Sequence, residues 1–372
     1  MRIAIDVRRI EDFGVGTYIR NLVRTLAASD SQNEYTLLGR EEQLARIAPL
    51  PPNFRVVAWE DRPCSWRQNL RLHRQLRSCS LDLLHIPYLR EALVVPCRYL
   101  MTVHDLAEFL YPRHVGWRQK ARWRMVRRTL QRAERILAVS RATQRDLENL
   151  FGIPASDVTV IENAIDERFL QSGRREEQRL VRERYRVTDP FLLYVGSARP
   201  QKNLPRLVEA FAVVKGELRS HPVYDKLKLL IVGDELSEYP DVRRSVIRSR
   251  VQEDVRFLGY VPVEILRVFY QAAEVFVFPS LYEGFGLPPL EAMAQGTPVV
   301  TSNVSSLPEV VGDAAVLVEP ENVFEIARGI SLALLDEELR EQLRLRGHRR
   351  ISRFSWERSV RQVLEIYSEA VA

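Results

Sequence analysis

A chain of 372 residues is long for one ordinary domain and fits two. Hydrophobic residues make up 46% and charged residues 28%, which excludes the disordered and fibrous classes. The net charge of +6 is uneven, because residues 1–170 hold 27 Lys and Arg against 20 Asp and Glu and the remainder holds 28 against 29. The three cysteines, Cys64, Cys79 and Cys97, form no C-x-x-C pair, which argues for a reducing compartment and against a zinc site or disulfide framework. No stretch approaches the roughly 18 apolar residues of a membrane-spanning helix. The chain opens on a strand-like run, Arg2 to Val7, with no leader-like basic and apolar regions, so the expected location is cytoplasmic.

Taken in chain order, short apolar runs alternate with amphipathic stretches, the pattern of βα units around parallel sheets. The first series is IAIDV (3–7), YTLLG (35–39), FRVVA (54–58), LDLLH (81–85), YLMTV (99–103), RILAV (135–139) and VTVIE (158–162). Helical patterns such as Thr17 to Ala28 and Trp66 to Arg77 lie between them. A second series runs FLLYVG (191–196), LKLLIVG (227–233), VRFLG (255–259), EVFVF (274–278), TPVVT (297–301) and AAVLV (314–318). The segment between the series, 167–190, is polar and charged and marks the expected boundary. Residues 1–170 form a first doubly wound domain and 171–354 a second, and the final amphipathic stretch, 355–372, is expected to pack back on the first. Two such domains in sequence would face each other across a cleft, with ligands at the carboxyl ends of the strands.

Two basic stretches stand out in the first half. Residues 62–77 carry five arginines and no acid, and 113–135 carry nine basic residues and one acid, Glu134. Trp123, Val126, Leu130, Ala133 and Leu137 recur there at helical spacing, flanked by Arg122, Arg124, Arg127, Arg128 and Arg132. The apolar set is expected to pack on the sheet; the arginines then face either water or the anionic lipid of an inner membrane face. A nucleic-acid surface is not expected, since no recognisable module interleaves aromatics with the charge.

The segment FPSLYEGFGLPPLEAMAQGTPVV, Phe278 to Val300, carries the chemistry. A strand ends near Pro279, a loop Gly284-Phe285-Gly286 follows, and a helix starts with Pro288 and Pro289 in its first turn and stops at Gly296. A glycine loop at a helix N-terminus lets a phosphate approach backbone N–H groups. Glu283 and Glu291, eight residues apart, can each accept hydroxyl hydrogen bonds from a sugar diol. Taken alone, the pair is equally an exposed loop acid and a helix N-terminal charge.

The whole string resembles the E-x7-E segment of retaining glycosyltransferases with the GT-B fold, particularly glycosyltransferase family 4. FGVGTYIRNLVRTLA, MTVHDLAEFLYP, AVSRATQRDL, VIENAIDERF, LYVGSARPQKNLPRLVEAF, IVGDE, VRFLGYV and Ser306-Leu307-Pro308-Glu309-Val310 look like family segments in the family's order and span nearly the full chain. The closest likeness is to bacterial mannosyltransferase-type members of polysaccharide assembly. The resemblance implies that Glu291 binds the nucleotide ribose, that Glu283 lies near the transferred sugar, and that Gly284, Phe285, Gly286 and Leu287 contact sugar and diphosphate. Lys202 matches the family's phosphate-neutralising lysine, whereas Ser197 stands where many members carry arginine and Arg199 is the candidate substitute. By the same analogy His104 meets donor sugar or acceptor, Gly259, Tyr260 and Val261 hold the base through their backbone, and Tyr88, Asp105 and Asn163 are acceptor-side candidates. Gly14 and Gly16 read as a close-approach loop, though Ile19 stands where a dinucleotide fingerprint needs its third glycine.

The implied reaction moves a hexose, mannose favoured, from a nucleotide diphosphate sugar to a saccharide or lipid-linked saccharide with retention. GDP-mannose is the favoured donor and a UDP-sugar the next. No D-x-D pair occurs, so neither metal nor cofactor is expected. A nucleotide-sugar enzyme without transfer, such as an epimerase, and an inert sugar-binding module remain the alternatives.

Overall fold

The computed structural model describes residues 1–12, 14–44, 47, 49–58, 76–77, 80–89, 95, 97–112, 116–171, 175–233 and 239–372. The basic stretch 62–77 with its Trp66–Arg77 helix pattern, the DE of IVGDE, and Cys64 and Cys79 fall wholly or largely outside these residues. The chain forms two compact units, Met1–Ala164 with Phe354–Ala372, and Ile165–Arg353.

The first unit holds a seven-stranded parallel sheet of β1 (Arg2–Asp6), β2 (Glu34–Gly39), β3 (Phe54–Ala58), β4 (Leu83–Ile86), β5 (Arg98–Val103), β6 (Arg135–Ala138) and β7 (Val158–Val160). Their order is β3-β2-β1-β4-β5-β6-β7. The second holds six parallel strands, β8 (Phe191–Val195), β9 (Lys228–Val232), β10 (Val255–Gly259), β11 (Val275–Phe278), β12 (Val299–Ser302) and β13 (Val316–Val318), ordered β10-β9-β8-β11-β12-β13. Each apolar run read from the sequence is a strand, and the central ones are buried along their length, as parallel strands covered on both faces must be. Ile3 of β1, for example, pairs with Tyr35 of β2 and Leu83 of β4.

The division between the units falls after Ala164 because the residues beyond it pack on the second sheet's helices. Phe169 meets the Tyr270 ring edge-on at 5.9 Å, and Gln295 Nε2 donates to the Phe169 carbonyl.

The last helix, Trp356–Val371, packs against the helix Val15–Ser29 and beneath β4 and β5 in the first unit. Its Tyr367 enters a fully buried polar chain: the hydroxyl meets His85 Nδ1 at 2.6 Å, His85 Nε2 meets Thr102 Oγ1 at 2.8 Å, and Thr102 meets the Tyr18 hydroxyl at 3.3 Å. Burial, with the His104 charge second, lowers the His85 pKa to about 3, so the imidazole is neutral and each ring nitrogen needs its partner. Tyr367→Phe removes one partner and is expected to cost about 1–3 kcal/mol, read as a lower denaturant midpoint. An unchanged midpoint would show that the helix is held by apolar packing alone.

Candidate functional site

Both sheets reverse strand order beside their first strand, and ligands of open α/β sheets bind outside the carboxyl ends at such a point. In the second unit the reversal lies between β8 and β11. The segment leaving β8 ends in a short 3₁₀ turn, Pro200–Lys202, and Asn203 beyond it is left-handed with φ 62°. That strained conformation is held by the buried Asn203 amide, which donates to the carbonyls of Pro279 at 3.0 Å and Pro320 at 2.7 Å. Leu281 N also donates to the Gln201 carbonyl at 2.8 Å, so the turn after β8 is tied to the end of β11. Lys202 Nζ thereby reaches both Glu283 oxygens, at 2.6 and 2.7 Å. The two side chains are only 19% and 11% exposed, and the ammonium also lies 5.4 Å from the Phe278 ring centre.

Two serines hold the Glu283 loop from the other side. Ser305 Oγ accepts from Glu283 N at 3.2 Å and donates to its carbonyl at 2.6 Å, while Ser306 Oγ donates to the Phe285 carbonyl at 2.7 Å. Gly286 follows at φ 104°, where a Cβ would stand 2.7 Å from Leu307 Cδ2. The helix Leu287–Ala294 starts there and ends ahead of a left-handed Gly296. Pro288 and Pro289 remove two of the N–H groups a helix N-terminus normally offers. The donors that remain are Gly286 and Leu287, and neither has a hydrogen-bond partner among the described residues. The expected general N-terminal anion site is thus narrowed to two backbone donors.

Glu291, on the same helix, is held differently. Its Oε2 accepts from the Tyr270 hydroxyl at 2.9 Å. Burial raises its pKa to about 7; the Tyr270 hydrogen bond opposes this, the Asp166 charge adds to it, and Arg168 opposes it. Asp166 and Arg168 are themselves paired at 2.8 Å.

Around them, Gly196 and Gly233 both take φ 152°, and a Cβ on Gly233 would fall 1.9 Å from the Gly196 carbonyl oxygen, so the strand ends of β8 and β9 meet backbone to backbone. The Ser197 carbonyl accepts from the Tyr194 hydroxyl at 2.8 Å, and Arg199 is exposed with no side-chain bond among the described residues. Gly259 is left-handed at φ 66°, Tyr260 is exposed and Val261 is buried.

In the first unit the reversal lies between β1 and β4. A buried cluster sits there: Arg8 bonds Asp6 through Nε at 2.8 Å and Nη2 at 2.6 Å, and the Tyr88 hydroxyl donates to Asp6 at 2.5 Å. The Tyr88 hydroxyl, an acceptor-side candidate, is therefore engaged within the chain. Gly16 is needed by packing, since its Cβ would lie 2.4 Å from the Ile10 carbonyl, whereas Gly14, at φ 70°, borders open space. His104 Nε2 donates to the Pro87 carbonyl at 3.0 Å, and burial lowers its pKa to about 4. The neutral ring consequently keeps Nδ1 as an acceptor. Asp105 accepts from Ala107 N at 2.9 Å, and Asn163 is buried with its Oδ1 unpartnered among the described residues.

Sequence reasoning missed Tyr270, Asn203, Ser305 and the Asp6–Arg8 pair. Ser306 opens a stretch that it did single out; Tyr270 sits among apolar residues and reads as core. No group of three or more His, Cys, Asp or Glu able to hold a metal occurs among the described residues.

Residues 14–169 match the family described as Glycosyltransferase Family 4, and residues 176–350 match Glycosyl transferases group 1. O-antigen chain mannosyltransferase B of Escherichia coli is 34% identical over 271 residues, 73% of this chain and 70% of that protein. Serotype-specific mannosyltransferase WbdA of Escherichia coli is 30% identical over 73% of this chain but only 33% of its own length, so this chain spans about a third of that relative. HepE of Anabaena, solved in complex with UDP-glucose, has the same fold, with a TM-score of 0.79 at 18% identity over 99% of this chain and 100% of that one. The chain is a glycosyltransferase of family 4, built on the GT-B fold of two parallel α/β units.

Proposed function

We propose that this glycosyltransferase takes a hexose, mannose first, from a nucleoside diphosphate sugar bound at the β8–β11 reversal, and passes it with retention to a saccharide or lipid-linked saccharide. The observation that carries the donor class is the Lys202–Glu283 pair together with the N–H groups of Gly286 and Leu287 on the loop that follows Glu283, which have no partner among the described residues. An ammonium has three donors, and Glu283 occupies two. The third, with the two amides, gives an anion receptor suited to the β-phosphate, where charge accumulates as the sugar leaves. Glu283 in turn has further lone pairs for sugar hydroxyls, and Glu291 for the ribose diol. Arg199, exposed and with no side-chain bond among the described residues, three residues before Lys202, is the candidate second cation. In the first unit the His104 Nδ1 lone pair is the candidate acceptor for a sugar hydroxyl, and the buried Asn163 Oδ1 has no partner among the described residues.

The choice of mannose rests on the names of the two Escherichia coli relatives, and the nucleotide-sugar class is supported by the UDP-glucose that HepE binds. Retention and independence from metal rest on the family resemblance. Purified protein titrated against GDP-mannose, UDP-glucose and other nucleotide sugars should select one. Free nucleotide should appear only when a saccharide acceptor is added; release without acceptor would favour an activity other than transfer.

Lys202→Met is expected to lower kcat/KM by about a hundred- to a thousand-fold, the scale of losing a preorganised transition-state donor. Glu291→Ala should abolish measurable donor binding with the fold intact by circular dichroism. Near wild-type turnover in either variant sinks the site assignment.

We also propose peripheral contact with anionic membrane through the helix Trp117–Gln131. Val126 and Leu130 are buried and Trp123 stacks on Phe151 at 5.5 Å, so these three face inward as the spacing predicts, whereas Ala133 lies past the end of the helix and Leu137 belongs to β6. Arg124, Arg127 and Arg128 are left exposed beside Trp117, itself 76% exposed. Each basic residue near an anionic surface contributes about 1 kcal/mol. Sedimentation with anionic vesicles at low salt should capture the wild type and release an Arg124→Glu/Arg128→Glu variant; equal behaviour of the two removes the idea.

A further inference from the structure

Tyr270 belongs to the helix Val263–Ala272 and is fully buried. Its ring is fixed from two sides, edge-on to Phe276 of β11 at 5.2 Å and to Phe169 at 5.9 Å. Its backbone carbonyl accepts from the buried Thr297 hydroxyl. A phenol so immobilised can aim its hydroxyl at one point only, and that point is Glu291 Oε2, at 2.9 Å. The Glu291 Oε1 has no hydrogen bond among the described residues. Burial and the neighbouring carboxylate keep the phenol protonated far above its ordinary range, so it is the donor.

We propose that Tyr270 is a positioning residue of the donor site: its hydroxyl locks one oxygen of Glu291 and holds the carboxylate ionised and oriented, so that the other oxygen meets a vicinal diol of the donor's ribose. The proposal rests on the reading of Glu291 as a ribose ligand. It gives the phenol a task that core packing does not explain, because a phenylalanine would satisfy the ring contacts equally well.

The charged groups around Glu291 give this role a measurable signature. From the 3₁₀ turn Glu167–Leu170 and its cap, Asp166 raises the Glu291 pKa and Arg168 lowers it, and Glu264 pairs with Arg168 at 3.6 Å. The other elements packed on this helix bring Glu309, Arg344 and His348; Arg344 bonds the Gly296 carbonyl and His348 lies beside Gly296, at the helix's far end. With the pKa raised to about 7 by burial, the carboxylate that accepts diol protons is lost as pH falls through that value. Tyr270 opposes the rise. Its removal therefore carries the loss of donor affinity to higher pH, whereas removal of the Asp166 charge carries it lower.

The test is calorimetric titration of the full chain with GDP and with UDP between pH 5.5 and 8.5. Wild-type affinity should fall on the acid side with a midpoint near 7, the Tyr270→Phe midpoint should rise by about one pH unit, and the Asp166→Asn midpoint should fall. A Tyr270→Phe profile weakened equally at every pH, or unchanged, overturns the positioning role while leaving the donor site standing. Should Tyr270→Phe not fold, 3-fluorotyrosine at the same position keeps the shape and strengthens the donor. The midpoint should then fall, and an unmoved midpoint overturns the proposal. Binding of neither nucleotide by folded wild type at any pH overturns the ribose-ligand reading and the proposal with it.

Discussion

The Lys202–Glu283 ion pair can exist only if two loops from neighbouring strands are held to within a few tenths of an ångström, and much of the second unit's local chemistry serves that end. The two residues lie 81 positions apart in sequence. Asn203 bridges their loops from below, the Gln201 carbonyl ties the backbone, and Ser305 and Ser306 close the far side. Each is a side-chain or backbone bond replacing water at a place where no regular ladder continues. A largely buried ion pair gains little net stability over an apolar pair, but breaking it is costly because one charge is left uncompensated. Such a pair is better understood as fixing where a cation and a carboxylate stand than as holding the domain together.

The two glutamates of the motif are consequently different chemical objects. Glu283 is an anion neutralised by a bonded ammonium. Glu291 is a carboxylate with no bonded cation among the described residues, held by a neutral phenol in a desolvated position. On the proposed reading this suits their ligands. A group beside a diphosphate must not add unscreened negative charge, and Glu283 brings its own counter-ion. A group that reads two hydroxyls of a ribose, farther from the phosphates, gains from being an unshared acceptor. The price of that arrangement is a pKa near neutrality, which makes Tyr270 more than packing.

The fold was legible because parallel strands covered on both faces must be apolar along their length, and runs such as FLLYV or VFVF leave little choice of element. The glycine loop and the two prolines likewise announced a helix start after β11. What the residues could not announce was which donors survive at that start: the prolines that mark the helix also strip it of N–H groups, leaving Gly286 and Leu287. Tyr270 was illegible for a different reason. It occupies a helix position beside the buried Leu266, Val268 and Phe269, and a phenol there is indistinguishable from a core ring until its hydroxyl is seen to have a partner. Asn203 and Ser305 act through left-handed backbone, which single residues outside glycine rarely advertise. The basic run of 113–135 was readable as a pattern, with its apolar stripe inward, but spacing alone could not say what the outward arginines meet.

The first unit solves the opposite electrostatic problem. Its strand ends hold two histidines that burial keeps neutral, His85 near 3 and His104 near 4, and the charge pair Asp6–Arg8 at the end of β1 is buried and internally matched. Among the described residues the reversal point of that sheet offers the neutral acceptor of His104, with Arg8 bound to Asp6 and Arg9 to Asp12. His104 shows how this is enforced: the Pro87 carbonyl claims Nε2–H, the edge of the Tyr18 ring lies against the imidazole at 4.8 Å, and desolvation prevents a second proton from binding. Tyr18 is anchored in turn through Thr102 and His85 to Tyr367 on the final helix. A chain that returns to the first unit after completing the second thus supplies the last member of the network behind His104. The tautomer of one strand-end histidine is set by a carbonyl next to it, and the packing of its ring by a residue more than 250 positions away.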